Sequence, residues 1–221
     1  MTEPTAESDT TPLTLVERKQ RAARSRIIDA ADELFAERGF DAVSVTDIAE
    51  RAEVGRTTFF RHFGDKTEVV FAKEQAMFDA IAAAASTTWD PAPPVQTLGD
   101  ALSALEPLVL QLCAKATADL VAYERHTLLI DAHEELRARE AVKHQYIAGE
   151  FAQALMGQNA PLDVAIIAGQ LAVACYYSGR ILAGSPTDLS QGTADAFRKA
   201  LAMHSAEPAS RSVSAQSPTG P

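Results

Sequence analysis

Cysteine is scarce in this chain: Cys113 and Cys175 are the only two among 221 residues, and they stand in separate apolar segments. That fits two buried, reduced thiols of a cytosolic protein better than a disulfide framework. No secretory leader is expected, because Met1–Pro12 is polar and acidic. No membrane span is expected either. The longest uncharged stretch of apolar character, between Asp163 and Arg180, is 16 residues, short of the roughly 20 a bilayer needs. Strict apolar–polar alternation is absent, so the sequence predicts no strands. There is no glycine-rich phosphate loop. His133-Glu134-Glu135-Leu136 lacks the second histidine of a zinc helix, and Ser178 lacks a nucleophile elbow. Glu140 and His144, one helical turn apart, make half a metal site with no second half. The expectation is a protein without catalytic residues, metal or cofactor.

What is present is apolar and helical. Hydrophobic residues make up 47% of the chain, enough for a sizeable core, and the net charge is −10. The charge is unevenly placed. Glu17–Lys66 holds ten Lys/Arg and ten Asp/Glu, so the whole deficit lies outside it. Within it, Arg18, Lys19, Arg21, Arg24 and Arg26 form a run of five cations with no acid. A basic arm beside a neutral helical head suits contact with a polyanion, and the acidic remainder would be repelled from one.

The periodicity predicts an all-α fold. Helix one runs from about Arg18 to Arg38, with Ile27, Ile28, Ala31, Leu34 and Phe35 inward and Gly39 as its stop. Ser44 caps helix two and Asp47 completes a capping box. Helix three covers Arg56–His62. Asp65 caps a fourth helix, with Glu68 three residues on, which the pattern carries to about Ser86. The proline-rich Trp89–Pro94 reads as a linker. Further helices are expected at about 97–115, 118–131, 133–156, 162–183 and 188–203. The domain reading is a disordered tail over 1–17, a head over 18–86, a helical domain over 87–203 and a second disordered tail over 204–221.

Ser44–Lys66 (SVTDIAERAEVGRTTFFRHFGDK) carries the most information. Ile48, Ala49, Val54, Phe59 and Phe63 fall at the spacings that bury two crossed helices on one another. At 100° per residue, Phe59 and Phe63 define the inner face of helix three, so Thr57 and Arg61 point almost directly away. Arg56, Thr58, Phe60 and His62 flank them. Arg, Thr, His and an aromatic exposed together on a short helix fit a DNA major groove. The expected DNA-contacting set is Ser44, Thr46, Arg56, Thr57, Thr58, Phe60, Arg61, His62 and Lys66, with Lys66 and the Arg18–Arg26 run on phosphates.

This stretch resembles the TetR family of bacterial transcription regulators. The resemblance rests on Arg24–Phe40 (RSRIIDAADELFAERGF), Val45, Ile48-Ala49, Ala52-Glu53-Val54, Thr58-Phe59-Phe60, His62-Phe63 and Lys66, in order and spacing over roughly fifty residues. Two positions depart from the family pattern. Glu53 replaces the usual turn glycine, and a left-handed backbone there costs a side chain on the order of 1 kcal/mol. Phe60 replaces a usual tyrosine and so lacks the phenolic hydroxyl that would meet a phosphate, while a thymine methyl becomes available to it.

The resemblance implies a helix-turn-helix head joined by a long fourth helix to a C-terminal helical domain that dimerises and holds a ligand. The implied function is a ligand-responsive transcriptional repressor in the cytoplasm, binding a palindromic double-stranded operator as a homodimer. An activator of the same architecture, or an all-helical enzyme or carrier, are the alternatives. Its other partner is a small, mainly apolar effector, with Tyr123, His126, Tyr146, Cys175 and Tyr176 as candidate contacts. The helix at 162–183, apolar around its circumference, has to be covered on every face. Ala165, Ala168, Gly169, Ala172 and Gly179 would let another helix approach closely. A four-helix dimer interface from the last two helices of each chain is also what the resemblance implies.

Overall fold

A computed structural model describes residues 14–72 and 94–205. The predicted tail over 1–13 and 206–221, the fourth helix beyond 72 and nearly all of the proline-rich linker lie outside the described residues. Every regular element described is helical: α1 (Leu15–Arg38), α2 (Val45–Arg51), α3 (Arg56–His62), α4 (Lys66–Val70), α5 (Leu98–Ala116), α6 (Leu120–Ala132), α7 (Glu134–Gly157), α8 (Leu162–Leu182), a 3₁₀ turn (Pro186–Asp188) and α9 (Leu189–Ser205). The described residues divide into two compact units, one of 14–72 with 129–136, the other of 94–128 with 137–205.

In the first unit α1 starts earlier than the composition suggested. Thr14 and Glu17 close a capping box, the Thr14 N–H donating to Glu17 Oε2 at 2.7 Å and the Glu17 N–H to Thr14 Oγ1 at 3.3 Å. Residues 15–17 are therefore helix rather than tail. Thr14-x-x-Glu17 is the sequence signature of such a start. At its other end α1 stops at Gly39, whose φ of 79° favours a residue without Cβ. Ser44 and Asp47 form the second capping box, starting α2 as expected. Asp65 caps α4.

Arg51 fastens α2 to α1. Its guanidinium donates to Glu33 Oε2 at 3.0 Å and to both oxygens of Glu37, at 3.1 and 2.9 Å. The core beneath is Ile27, Leu34, Phe40, Ile48, Phe59 and Phe63, all at most 2% exposed.

The turn between α2 and α3 holds Glu53 at φ 53°, the left-handed conformation the sequence pointed to. Glu53→Gly removes a strain of about 1 kcal/mol, offset in part by the greater freedom of glycine in the unfolded chain. The expected net gain is about 0.5 kcal/mol, read as a rise in the thermal midpoint. A fall would mean that the Glu53 side chain contributes an interaction larger than its backbone strain.

Residues 129–136, the elbow joining α6 to α7, belong to this same unit. Ile130 and Leu136 are 1% and 0% exposed in the core that contains Phe40. The His133 ring meets Phe40 edge-on at 5.1 Å, its Nε2 lies 3.6 Å from Asp41 Oδ2, and its Nδ1 sits 2.8 Å from the Leu129 carbonyl oxygen. Sequence periodicity marked these residues as helical and apolar but carried no sign of which core they fill.

In the second unit α5, α7, α8 and α9 share a core of Leu102, Leu105, Leu112, Phe151, Leu155, Ala168, Ala172 and Phe197. The small residues of α8 serve this core. A Cβ at Gly179 would sit 2.4 Å from Thr193 Oγ1 and 2.5 Å from the Thr193 backbone nitrogen on α9, and one at Gly169 would sit 2.4 Å from the Ala148 carbonyl oxygen on α7. Ala165, Ala168 and Ala172 are 0% exposed. The close approach these residues permit is between helices of one chain, which corrects the expectation that they face a partner.

The other face of α8 is exposed and apolar. Leu162 (61%), Ile166 (49%), Tyr177 (42%) and Ile181 (64%) form one stripe, broken by Gln170, whose amide donates to Gln145 Oε1 at 3.2 Å. α8 has 21 residues and is long and apolar enough to cross a membrane by that measure alone.

Candidate nucleic-acid interface

The geometry of α3 follows from Phe59 and Phe63. Both rings are buried, 5.9 Å apart, and fix which side of the helix faces out. Arg56, Thr57, Phe60 and Arg61 are exposed on that outer side. Phe60 is 49% exposed, on the same side of the helix as the other three. The Arg56 guanidinium lies 5.9 Å above the Phe60 ring, so the two side chains present one cationic, flat-sided patch. Arg61 makes no hydrogen bond or ion pair among the described residues. Five N–H donors on a rigid fork are thus free to meet an acceptor pair such as guanine O6 and N7.

The remaining expected contacts are less available. Thr46 and Thr58 are half-buried. The Ser44 hydroxyl is bonded to the Asp47 carboxylate and accepts from the Asp47 N–H, so it works as a cap. His62 turns inward: its Nε2 is sealed from solvent with no hydrogen-bond partner, and burial, then the charges of Arg61 and Arg24, push its pKa down. Its backbone carbonyl accepts from Arg24 at 3.3 Å, while the Arg24 guanidinium lies 4.4 Å over the Phe63 ring. Arg24 therefore caps the end of α3, in the role a cation fills at a helix C-terminus.

Lys66 also has an internal role. Its ammonium donates to the Phe40 carbonyl at 2.8 Å and the Val43 carbonyl at 3.2 Å and sits 4.1 Å over the Phe40 ring. These bonds close the α1–α2 loop. A lysine at a helix N-terminus opposes the dipole, and sequence reasoning took that as a sign of a phosphate. Two loop carbonyls satisfy the same need. Arg24 and Lys66 thus build the head, and Arg18, Lys19, Arg21 and Arg26 remain exposed along α1.

This division predicts a salt experiment. Replacing Arg18, Lys19, Arg21 and Arg26 with glutamine is expected to flatten the slope of log K against log salt for DNA binding, by about 0.9 for each phosphate no longer neutralised. Lys66→Met is expected to lower the thermal midpoint and leave the slope nearly unchanged. A slope that falls with Lys66→Met and not with the α1 variants would reverse the assignment.

The candidate effector residues do not form one group. Tyr123 and Tyr176 come together with Arg180 nearby in the second unit. Tyr146 is 54% exposed. Burial, aided by Glu106, raises the Cys175 thiol to about 11, which marks it as an inert core residue. His126 is half-buried. Sequence reasoning took Glu140 and His144 only as half a metal site and missed Arg180, whose NH1 donates to Glu140 Oε1 at 3.2 Å. No cluster of metal-ligating side chains occurs among the described residues.

Residues 27–72 match the family described as bacterial regulatory proteins, tetR family. The chain is 37% identical over 91 residues to the HTH-type transcriptional regulator TcmR of Streptomyces glaucescens, covering 41% of this chain and 40% of TcmR. It is 52% identical over 44 residues to an HTH-type transcriptional repressor of Mycobacterium tuberculosis, covering 20% of this chain and 23% of that protein. The matched segments thus span less than half the length of these relatives. Among solved structures, the SmeT–triclosan complex superposes with a TM-score of 0.55 at 18% identity, covering 82% of this chain and 91% of that one. That likeness is one of fold.

Proposed function

We propose that this chain, which belongs to the TetR family of bacterial regulatory proteins, is a cytoplasmic DNA-binding transcriptional regulator acting as a ligand-responsive repressor. The observation that carries the reading is the outer side of α3, where Arg56, Thr57, Phe60 and Arg61 are exposed on a helix held rigidly by Phe59 and Phe63. Side chains of this kind on a short buried-backed helix are suited to base edges in a major groove. Thr46, Thr58 and the exposed α1 cations Arg18, Lys19, Arg21 and Arg26 are assigned to the rim of the contact and its phosphates. The limits of the DNA-binding part, 18–86 from sequence, take in the family match at 27–72.

A homodimer supplies the second head. The apolar stripe of α8 is the surface proposed to pair, with the two copies related by a twofold axis. Arg180 near one end of α8 is 13% exposed and paired with Glu140, which favours a helix seated in a protein core over one in lipid. α9 turns Gln191, Arg198 and Lys199 outward, so α8 carries most of the apolar contact. A small, mainly apolar effector held in the second unit would release the operator by favouring a state that does not bind DNA. SmeT, similar in fold, was solved as a complex with triclosan.

Fluorescence anisotropy with labelled duplex from upstream of the protein's own gene tests the reading. Specific affinity in the range of about 10⁻⁸ M or tighter is expected, at least ~10³-fold above that for an unrelated duplex. Equal affinity for both duplexes would overturn it. Transcription from that DNA in a reporter then separates a repressor from an activator.

A further inference from the structure

In the second unit, polar side chains from three helices converge beside an apolar core. On α8, Tyr176 and Tyr177 each set a ring edge-on to His144 of α7, with centroids 6.1 Å away in both cases. One turn on, Arg180 holds Glu140 of α7 at 3.2 Å and lies 5.1 Å over the Tyr177 ring. From α6, Tyr123 brings a hydroxyl that is sealed from solvent. That hydroxyl makes no well-aligned hydrogen bond, although Tyr176 and Thr127 both lie within hydrogen-bonding reach of it. Cys113 is a core residue of α5 within electrostatic range of both phenols.

The arrangement is rich in donors. Tyr123 and Tyr176 offer phenol hydroxyls, and burial pushes both pKa values up, that of Tyr176 well above 10. Burial, then Lys143 and Arg180, holds His144 at about 4, so its imidazole is neutral and carries one N–H. Burial brings the neighbouring Lys143 ammonium down to about 7. Folded proteins satisfy the great majority of buried polar groups, and one left without an aligned partner is a reason to look for a bound molecule. An acceptor oxygen bearing negative charge would meet both the Tyr123 hydroxyl and the positive field of Arg180.

We propose that Tyr123, Tyr176, His144 and Arg180 form the polar end of the effector site, and that the effector is a ring-bearing apolar molecule with an ionised oxygen group, a carboxylate or a phenolate. This deepens the ligand-responsive reading and rests on it. The aromatic edges of Tyr176 and His144 accept the ring. Arg180 and the phenols hold the anionic oxygen by charge-assisted hydrogen bonds. Glu140 holds Arg180 in place.

Calorimetric titration of the full chain with aromatic carboxylates of one to three rings, each paired with its methyl ester, tests this. 2-Naphthoate and methyl 2-naphthoate are the central pair. At least one acid is expected to bind about tenfold or more tighter than its ester, as a charge-assisted hydrogen bond implies. In Tyr123→Phe, which removes only a hydroxyl with no aligned partner, the acid's advantage should shrink to about twofold or less. Arg180→Met should abolish it, with circular dichroism checking that the variant is folded. Equal binding of acid and ester, binding by neither across the panel, or an acid preference unchanged in Tyr123→Phe would each overturn the proposal. Anisotropy with the upstream duplex is measured on the same samples. Absent DNA binding speaks against the regulator reading, whereas intact DNA binding with no acid preference speaks against the effector class alone.

Discussion

Arg61→Ala is expected to abolish sequence-specific DNA binding while leaving the protein folded. Arg61 stands on the outer side of α3, exposed and without a partner among the described residues. Removing its guanidinium therefore takes away nothing that holds the head together. A bidentate arginine–base contact contributes about 1–3 kcal/mol of discrimination, and a dimer makes it twice. The combined effect is about 2–6 kcal/mol, roughly 30-fold to more than 10⁴-fold in affinity. Binding to unrelated duplex should fall far less, because the α1 cations supply that component. Anisotropy on specific and unrelated duplexes, with circular dichroism as the control for folding, reads both. Unchanged specific affinity in a folded variant would remove Arg61 from the readout face.

The second large effect concerns assembly. Ile166→Glu together with Ile181→Glu is expected to split the dimer into folded monomers and with it abolish operator binding. Both side chains lie on the exposed stripe of α8, at 49% and 64% exposure, so a glutamate there meets water in the monomer and is stranded only when a partner covers it. A stable dimer of this kind buries roughly 2,000 Å² or more. Gly169→Glu and Ala172→Glu make the contrast. Those positions are filled by Ala148 of α7 and by the core of the same chain, so the variants should unfold the second unit instead of dissociating it. Sedimentation velocity at micromolar concentration separates the cases. A dimer that survives the double substitution would move the interface away from this stripe.

These expectations depend on how far side-chain pattern determines packing. Periodicity located the described α-helices because apolar spacing is a local signal, and capping boxes at Thr14, Ser44 and Thr97 mark three of the starts. Glu53 was legible for the same reason, since one turn demanded one backbone conformation. The outward direction of Thr57 and Arg61 followed from Phe59 and Phe63 alone. Charge was harder to read. Lys66 and Arg24 have the composition of phosphate ligands, yet each serves a carbonyl of the head, at Phe40 and Val43 for one and His62 for the other. A cation that caps a loop and a cation that waits for DNA have the same sequence signature. Small residues were ambiguous in a similar way, because Gly169 and Gly179 allow close approach without saying to which helix. The elbow at 129–136 and the meeting of Tyr123, His144, Tyr176 and Arg180 join residues far apart in sequence, and local pattern carries no signal for such encounters.

Selecting bound duplexes from a random-sequence pool with the full-length protein addresses paired readout by two α3 helices most directly. Two recognition helices entering successive major grooves on one side of the DNA stand about 34–36 Å apart. The enriched sequence should therefore be an inverted repeat, its half-site centres separated by about 10 base pairs or a multiple of that spacing. Arg61→Ala should lose the enrichment. A single half-site without its inverted copy, or a pool that leaves the selection as random as it entered, would contradict a dimer reading DNA through α3.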